Sequence, residues 1–360
     1  MPILALQPGS TVFVTGVNGL IGSHVADQLL ARGYNVVGAV RDAKKNEWLA
    51  EYFAGKHHDA KFSLVTVLDI TVEGCYDDLV KGCDAVMHVA TVMPGPDPKT
   101  LIPSAITGSV NALTAAVKEP RIKRVVLTSS SVAAVWPNQE VKITIDQGTF
   151  NETAIKSFWD DSDKIDPMMK IFLAYTAIKT ETEKACWEFV KKSNPGFVFN
   201  TVCPNVNFGE VLLPEKQGCP STVHWAKTAY TGGPEFDISK KIIPPQWYID
   251  TVDCALLHVG ALIYDEVRNE RLFGFARRFN WKDLVSIYKK IYPDKTFPEA
   301  PEGEDLTEVP NQRAEEVLSW VKGSGWKSLE DSVREMMPAI VGGTEGAGEA
   351  RIRSELGMEK

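Results

Sequence analysis

Short runs of apolar, often β-branched residues alternate with helical periodicity through the first two hundred residues of the chain. Continuous apolar runs predict strands that are buried on both faces, and apolar residues that recur every three or four positions predict helices. The predicted strands cover residues 11–15, 36–40, 62–67, 85–89, 124–127 and 197–202, and the predicted helices include residues 20–31, 102–117 and 168–191. This alternation is typical of an α/β fold built on a doubly wound parallel sheet.

The pattern loosens beyond this point, where residues 205–245 combine glycines, prolines and scattered aromatic residues with little periodicity. The later elements are predicted at residues 250–263, 271–275, 281–291 and 313–321. Because alternation is too weak for a second sheet, we expect a smaller lobe over the carboxyl ends of the strands, where such sheets bind ligands. The predicted boundaries are residues 1–204 plus about 244–270 for the nucleotide-binding domain, about 205–243 plus 271–341 for the lobe, and 342–360 for a frayed tail.

Composition and charge exclude several classes of function. The chain has 360 residues, 44% of them hydrophobic, and a net charge of -8, which disfavours binding to nucleic acid. Its six cysteines form no C-x-x-C pair and no zinc spacing, so we expect reduced thiols, no metal and a cytoplasmic location. We expect no signal peptide and no stretch approaching the roughly 20 apolar residues of a membrane span. A small-molecule partner is expected, with monomer and homodimer both left open.

A glycine-rich turn links the first predicted strand to the first predicted helix. Gly16 permits the tight turn, Gly19 lets the backbone approach a pyrophosphate, and Gly22 lets the helix pack close to the sheet. The amino end of that helix directs backbone N–H groups toward the phosphates. The turn predicts a dinucleotide site, to which it also contributes Asn18, Leu20 and Ile21.

The residues after the second strand indicate which dinucleotide binds. An NAD site usually offers a carboxylate here to the ribose hydroxyls. This strand is followed by Arg41, with Lys44 and Lys45 close behind, and a guanidinium can pair with a 2′-phosphate. Asp42 comes one position late and by strand alternation points the other way. The sequence therefore predicts NADPH/NADP⁺ as the cofactor.

Tyr175 and Lys179 are four residues apart within the predicted helix 168–191, so they share one helix face. A phenol with a pKa near 10 exchanges protons poorly at neutral pH, and a nearby ammonium lowers that pKa. The pair is therefore a candidate for general acid–base chemistry.

Hydroxyl side chains follow the fifth strand, from Thr128 to Ser131, at the edge of the sheet where reactions occur. A hydroxyl there can hydrogen-bond a substrate carbonyl and stabilise the oxyanion. Together with the glycine turn, these hydroxyls and the Tyr175–Lys179 pair predict a catalytic site.

These motifs resemble the extended short-chain dehydrogenases/reductases. The resemblance rests on the glycine turn, His88-Val89-Ala90, Thr128-Ser129-Ser130, Tyr-x-x-x-Lys and Cys203-Pro204-Asn205. Residues 8–335 are similar to the NADPH-dependent aldehyde reductases of the aldehyde reductase II type, within the dihydroflavonol reductase-like group. The resemblance implies a Rossmann-type sheet, a smaller C-terminal substrate lobe and reduction of an aldehyde or ketone to an alcohol.

The resemblance also implies roles for individual residues. Tyr175 would protonate the carbonyl oxygen, Lys179 would bind the nicotinamide ribose, and Ser130 would bind the substrate oxygen, with the adjacent Ser131 left as an alternative. Asp69 and Ile70 would border the adenine. The nicotinamide side would be bordered by Ala90, Thr91, Pro204, Asn205 and Val206.

The lobe is expected to supply an apolar pocket lined by Trp136, Phe172, Phe208, Trp225, Gln246 and Trp247. Two other functions share parts of the pattern. A nucleotide-sugar epimerase or dehydratase would keep the tyrosine and lysine, but it usually holds NAD at an acidic strand end, which Arg41 opposes. A non-catalytic NADP-sensing protein would keep the fold alone, against which the intact Ser130, Tyr175 and Lys179 count.

Overall fold

The computed structural model describes residues 2–92, 98–160 and 167–342. Its strands are β1 (Thr11–Thr15), β2 (Asn35–Val40), β3 (Phe62–Thr66), β4 (Ala85–His88), β5 (Arg124–Thr128), β6 (Val198–Pro204), β7 (Val206–Phe208), β8 (Gln246–Asp250), β9 (Arg271–Gly274) and β10 (Arg277–Phe279). Its α-helices are α1 (Leu20–Leu30), α2 (Glu47–Lys56), α3 (Pro98–Lys118), α4 (Glu152–Trp159), α5 (Pro167–Ser193), α6 (Pro214–Gln217), α7 (Thr222–Thr231), α8 (Pro234–Ile242), α9 (Thr251–Ile263), α10 (Trp281–Ile291), α11 (Gln312–Lys322) and α12 (Leu329–Gly342).

Seven strands form one parallel sheet in the order β3-β2-β1-β4-β5-β6-β9. The order reverses at β1, which pairs with β2 on one side and with β4 on the other. The segments that follow β1 and β4 therefore turn away from each other and leave a crevice at the carboxyl ends of these strands. The predicted doubly wound α/β fold is confirmed.

Both faces of the sheet are covered because side chains along each strand alternate in direction. Val12 and Val14 of β1 lie in one core with α1, α9 and α11. Phe13, between them, lies in the opposite core with residues of α3 and α5. Burial on both faces explains why these strands are continuous apolar runs in the sequence.

The helix α3 corrects one expectation. By length and composition alone, one helix in the described part of the chain, Lys99–Lys118, is apolar enough to cross a membrane. The expectation that no stretch is long enough is therefore wrong. In the fold, 44% of its apolar window is buried, with Leu113 in the core under the sheet and Ile102 in a cluster with Ala177 of α5. A core helix of this kind passes the same test.

The lobe has a sheet of its own, which the weak alternation did not predict. Its strands are ordered β10-β8-β7. Phe208, Tyr248 and Phe279, one from each strand, are buried in a single cluster with residues of α7, α8, α10 and α12. Two of the strands have only three residues each, too few to show a period of two along the sequence.

The domain boundaries differ from the predicted ones for the same reason. β9 belongs to the lobe in the predicted division, yet it pairs with β6 as the edge strand of the central sheet. β8, predicted to lie with the nucleotide-binding domain, pairs with β7 and β10 in the lobe. The chain therefore crosses between the two units at other positions than the prediction gave. Apart from Gly342, the predicted tail 342–360 lies outside the described residues.

The guanidinium of Arg124 is buried against the carboxyl end of α9, away from the crevice. Arg124 is 1% exposed and donates to the backbone carbonyls of Ala261, Leu262, Tyr264 and Val267 over 2.6–3.0 Å. These carbonyls follow or end α9, where the helix leaves acceptors without internal partners and where a cation is favourable.

We predict that Arg124→Leu lowers the free energy of unfolding by about 3 kcal/mol or more, because buried carbonyls lose a charged donor. Urea unfolding followed by circular dichroism measures this change. Lys123→Ala, at the exposed neighbouring position, is the control and should change the free energy by less than about 0.5 kcal/mol. A loss of under 1 kcal/mol (roughly the worth of one neutral hydrogen bond) in Arg124→Leu would contradict the assigned role.

Candidate active site

A cleft of about 940 Å³ runs along the carboxyl ends of the central strands and under the lobe. At one end it is lined by the glycine turn and Arg41, and at the other by Trp225 and Ile243 of the lobe. Ser130, Tyr175 and Lys179 line it between these ends. One continuous cleft therefore brings together the residues that the sequence assigned to a dinucleotide, to proton transfer and to a substrate.

The backbone of the glycine turn requires two of its glycines. Gly16 has a φ of +66°, and a Cβ there would lie 2.9 Å from the backbone nitrogen of Ala90. A Cβ on Gly22 would lie 2.2 Å from the carbonyl oxygen of Gly16. Gly19 precedes α1, and no side chain of the described residues caps that helix. The amino end of α1 is therefore shaped to receive phosphate oxygens on its N–H groups.

Two side chains fix the position of this turn. Thr15 Oγ1 accepts hydrogen bonds from the backbone nitrogens of Val89 and Ala90, both at 3.0 Å. These bonds hold the end of β1 against the end of β4. Gln217 of α6 donates from Nε2 to the carbonyl oxygen of Asn18 and to Ser23 Oγ, both at 3.2 Å. The lobe is thus hydrogen-bonded directly to the phosphate-binding turn.

Arg41 lies in the cleft at the carboxyl end of β2, exposed to solvent. Lys45 lies farther along the loop, with 84% of its side chain exposed and its Nζ 3.9 Å from an oxygen of Asp42. Lys45 is outside the cleft lining. Of the three cations that follow β2, the structure thus places Arg41 in the cleft, where a 2′-phosphate could meet it.

The predicted adenine and nicotinamide residues also line the cleft. They are Asp69, Ile70, Ala90, Thr91, Pro204, Asn205 and Val206. The Asp69 carboxylate accepts hydrogen bonds from the backbone nitrogen and hydroxyl of Thr71, and these bonds lower its pKa. Asn205 Oδ1 accepts from the backbone nitrogen of Val206 at 2.8 Å, which fixes the turn between β6 and β7.

The reactive side chains come from two elements. Ser130 follows β5 in an extended conformation, and Ser131 then begins a short 3-10 helix. Tyr175 and Lys179 project from α5, and Lys179 Nζ donates to the backbone carbonyl of Thr128 at 2.9 Å. Both serines line the cleft, but the Ser130 side chain is the one that acts on the Tyr175 phenol and lowers its pKa against the effect of burial. This interaction favours Ser130 over Ser131 as the substrate-binding hydroxyl.

The pKa of Tyr175 departs from its expected direction. Burial raises the pKa of Tyr175, and the hydrogen bond with Ser130 opposes this rise only in part. The net direction is therefore opposite to the predicted lowering, because burial outweighs the effects that oppose it. Burial also lowers the pKa of Lys179 to about 8, so its own charge is held less firmly. At neutral pH the phenol therefore carries the proton that a general acid would donate.

Buried histidines lie on either side of Lys179. His258 of α9 meets Thr128 Oγ1 at 2.8 Å through Nε2 and the Cys254 carbonyl at 2.7 Å through Nδ1. Because a carbonyl only accepts, Nδ1 carries the proton and Nε2 accepts from the threonine hydroxyl. Burial, together with the charge of Lys179, lowers the pKa of His258 to about 4 and that of His88 to about 3. Both rings are neutral at physiological pH.

The substrate end of the cleft keeps four of the six predicted pocket residues. Trp136 and Phe172 pack edge to face with ring centres 5.9 Å apart, and Phe172 lies 6.5 Å from Trp225. These three rings and Gln246 line the cleft.

The expectation is wrong for the other two residues. Phe208 is fully buried in the lobe core against Phe279, with ring centres 5.0 Å apart. Trp247 packs on Phe275 with Arg278 over its ring, outside the cleft.

The sequence interpretation missed a buried carboxylate behind the site. Glu183 is 0% exposed and forms an ion pair with Arg271 at 2.8 Å. Its position was available as a signal, because it lies four residues after Lys179 and therefore on the same face of α5. Gln217 was also missed, and nothing in the irregular stretch around it indicated a contact with the glycine turn.

Comparisons with known proteins give the family. Residues 12–210 match the family model described as the NAD dependent epimerase/dehydratase family. The chain is 35% identical over 336 residues to aldehyde reductase 2 of Sporidiobolus salmonicolor, covering 92% of this chain and 96% of that protein. It is 38% identical over 339 residues to ketoreductase adrE of Penicillium rubens, covering 91% and 96%.

Among solved structures, the chain is similar to yeast methylglyoxal/isovaleraldehyde reductase Gre2 complexed with NADPH. The TM-score is 0.77 at 25% identity, covering 92% of this chain and 98% of that one. The likeness thus spans both the central sheet and the lobe. The chain belongs to the NAD-dependent epimerase/dehydratase family, the extended short-chain dehydrogenases/reductases that its motifs predicted.

Proposed function

We propose that this protein is an NADP(H)-dependent reductase of aldehyde or ketone carbonyls, with Ser130, Tyr175 and Lys179 as its catalytic residues. The observation that carries the proposal is the continuous cleft with Arg41 at one end and these three side chains farther along it. The relatives named aldehyde reductase and ketoreductase, and the NADPH-bound neighbour, support the same activity.

The residues at the cofactor end fit a phosphorylated dinucleotide. The glycine turn has no room for a Cβ at Gly16 or Gly22, so backbone alone faces the phosphates. Arg41 supplies a guanidinium at the strand end where an NAD site would carry an acid. This charge is the reason to prefer carbonyl reduction with NADPH over an NAD-dependent epimerase or dehydratase.

Proton transfer is the task proposed for Tyr175. NADPH, when bound, supplies the hydride for the carbonyl carbon. The carbonyl oxygen that gains electrons then needs a proton, and the Tyr175 phenol is placed to donate it. Burial keeps that phenol protonated at neutral pH, which suits reduction better than alcohol oxidation. Ser130, whose side chain acts on the pKa of Tyr175, would donate its own hydrogen bond to the same oxygen.

Lys179 has two proposed tasks. Its ammonium is held at the carbonyl of Thr128, beside the cleft wall where a nicotinamide ribose would lie, and it can donate hydrogen bonds to ribose hydroxyls. Its positive charge also favours the phenolate that remains once Tyr175 has given up its proton. Both tasks require the protonated amine.

We further propose a substrate class, an oligomeric state and a cellular location. The protein is a cytoplasmic enzyme that acts on a small carbonyl compound as a monomer or homodimer. All six cysteines are free, and five of them are buried, as suits a reducing compartment. The three aromatic rings along the cleft favour a carbonyl compound with a sizeable apolar substituent.

Replacement of the phenol tests the proton donor. We predict that Tyr175→Phe lowers kcat for NADPH-dependent reduction of an aromatic aldehyde by a factor of about 10² to 10⁴, because only the donor oxygen is removed. The loss of NADPH absorbance at 340 nm measures turnover, and calorimetry should show that NADPH still binds. Near-full activity in Tyr175→Phe would mean that the assigned chemistry is wrong.

Replacement of the guanidinium tests the cofactor preference. Arg41→Ala should weaken NADPH binding by about 1.5–3 kcal/mol, because a charge-assisted phosphate contact is lost. NADH binding should change little, since NADH has no 2′-phosphate. Calorimetric titration of both cofactors measures the difference, with Lys45→Ala as the matched removal of a cation outside the cleft. Equal turnover of the unmutated protein with NADPH and NADH would contradict the preference.

Replacement of a cleft aromatic tests the substrate end. Trp225→Leu should raise KM for bulky aryl carbonyls by about tenfold, because a packed ring in the pocket contributes about 1–1.5 kcal/mol to binding. The same variant should leave the Kd for NADPH unchanged. Trp320→Leu, the same change on α11 against Tyr264 and away from the cleft, should alter neither value. Steady-state kinetics with aryl and short aliphatic aldehydes provide the comparison. An unchanged ratio of kcat/KM between the two substrate classes would place Trp225 outside the substrate site.

A further inference from the structure

We propose that Glu183 is a positioning residue of the reaction, whose buried carboxylate holds the Tyr175–Lys179 face of α5 in register with Ser130 and supplies a negative charge to the Lys179 site. The inference rests on the proposed function, which assigns catalytic tasks to Tyr175, Lys179 and Ser130 but none to Glu183.

The contacts of Glu183 join α5 to three strands of the central sheet. Its Oε2 accepts from Oγ of Ser129, the residue that follows β5, at 2.7 Å, and its Oε1 accepts from Thr201 Oγ1 of β6 at 2.8 Å. Arg271 of β9 donates from Nε to Oε1 at 2.8 Å and from Nη2 to Oε2 at 3.1 Å. Both oxygens of one carboxylate are therefore used, and none of these donors is in the cleft except Ser129.

The same helix face meets β5 at two successive turns. Lys179 donates to the carbonyl of Thr128, and Glu183, one turn later, accepts from the hydroxyl of Ser129. Ser130 is the next residue of the chain, and its side chain acts on the pKa of Tyr175, which lies one turn before Lys179 on the helix. The end of β5 is thus hydrogen-bonded to two successive turns of α5, directly after the turn that carries Tyr175, so a shift of the helix would also move Tyr175 relative to Ser130.

The anchor extends into the loop that follows the serines. Arg271 also donates to the backbone carbonyls of Gln147 and Thr149 and stacks over the ring of Phe150 at 4.1 Å. A few residues on, Asn151 donates from Nδ2 to the carbonyl of Val132 at 3.0 Å. The buried ion pair therefore holds the segments on both sides of Ser130.

Titratable groups lie around Lys179 on several elements that pack against it. Glu183 and the thiol Cys186 face it from α5, and the thiol Cys203 faces it from β6. The charge of Lys179 also contributes to the lowered pKa of His88 of β4 and of His258 of α9.

Among these groups Glu183 carries the negative charge. Both histidines have a lowered pKa and are neutral, and burial raises the pKa of both thiols, which are neutral as well. Arg271 and its hydrogen bonds keep Glu183 ionised by lowering its pKa. Burial lowers the pKa of Lys179, and the negative charge of Glu183 is the largest effect that raises it again.

The test compares pH profiles of kcat for carbonyl reduction at saturating NADPH. Glu183→Gln keeps the size of the side chain and removes its charge. Without the carboxylate, Lys179 loses its proton at lower pH, so the falling high-pH limb should move down by about one pH unit. At the optimum, kcat should fall about tenfold with KM changed less, because a misplaced donor slows chemistry more than binding. Glu183→Asp retains the charge with a shorter reach, so it should lower kcat and leave the limb in place.

A matched control separates this role from simple stability. Asp253 of α9 is also 1% exposed and pairs with Lys322 away from the cleft. Asp253→Asn should lower the stability of the protein yet leave the pH limb and kcat unchanged. If Glu183→Gln does not fold, the double variant Glu183→Gln/Arg271→Met removes both buried charges together, a change that buried ion pairs often tolerate. Its limb should move in the same direction by a smaller amount, because the loss of the Arg271 cation offsets part of the lost negative charge, and its kcat should fall as in Glu183→Gln.

The outcomes are distinct. A folded Glu183→Gln, or the double variant in its place, that keeps the unmutated limb and a kcat within twofold would overturn the inference. If the unmutated protein shows no carbonyl-dependent oxidation of NADPH, the proposed function fails instead. The Glu183 inference is then decided by calorimetric NADPH binding as a function of pH: the loss of affinity at high pH should begin at lower pH in Glu183→Gln, and coincident curves would overturn it.

Discussion

The constraint on which this structure depends is the contact between α5 and the end of β5. Tyr175 and Lys179 lie on the helix and Ser130 follows the strand, more than forty positions away in the chain. The hydrogen bond from Lys179 Nζ to the carbonyl of Thr128, at 2.9 Å, and the bond from Ser129 to Glu183, at 2.7 Å, fix the helix along the strand. Every proposed step of the chemistry needs that alignment within a fraction of an ångström.

The cleft itself is a consequence of sheet topology. Because the strand order reverses at β1, the segments that leave β1 and β4 diverge and leave space at their carboxyl ends. Thr15 joins these two strand ends by accepting hydrogen bonds from the backbone nitrogens of Val89 and Ala90. Gln217 then connects the lobe to the same turn. The phosphate end and the substrate end of the cleft are therefore parts of one hydrogen-bonded framework.

The sequence predicted the elements whose signal is local. The parallel strands were visible as apolar runs, and α10 was predicted at the residues it occupies, Trp281–Ile291, because its apolar stripe is strongly periodic. The small lobe sheet was not predicted, since β7 and β10 have three residues each and exist only through their pairing with β8. α7 was missed in the same stretch, where it begins after Ser221 at a φ of +54° that no sequence pattern announced.

The pocket shows the same limit at the level of side chains. Gln246 and Trp247 are neighbours in β8, so alternation sends one toward the cleft and the other away from it. Gln246 lines the cleft, and Trp247 packs on Phe275. Both were predicted as wall residues because β8 itself was not recognised. Hydrophobicity indicated that these aromatic residues are buried, but only the strand direction decides which of them face a ligand.

The balance of buried charge explains how a phenol with a raised pKa can still act. In the described surroundings of Lys179, the histidines and thiols are neutral, so the buried charges are the Lys179 ammonium, the Arg271 guanidinium and the Glu183 carboxylate. Arg271 shares the carboxylate in a bidentate pair, so Glu183 offsets the charge of Lys179 only in part and leaves a positive charge one turn from Tyr175. Before reaction, burial favours the neutral phenol. Once the proton has moved to the carbonyl oxygen, the phenolate that remains faces that positive charge in a medium of low dielectric constant, where opposite charges attract strongly. In the proposed mechanism, burial would thus keep the proton on Tyr175 before hydride transfer, and Lys179 would stabilise the phenolate that forms when the proton is donated.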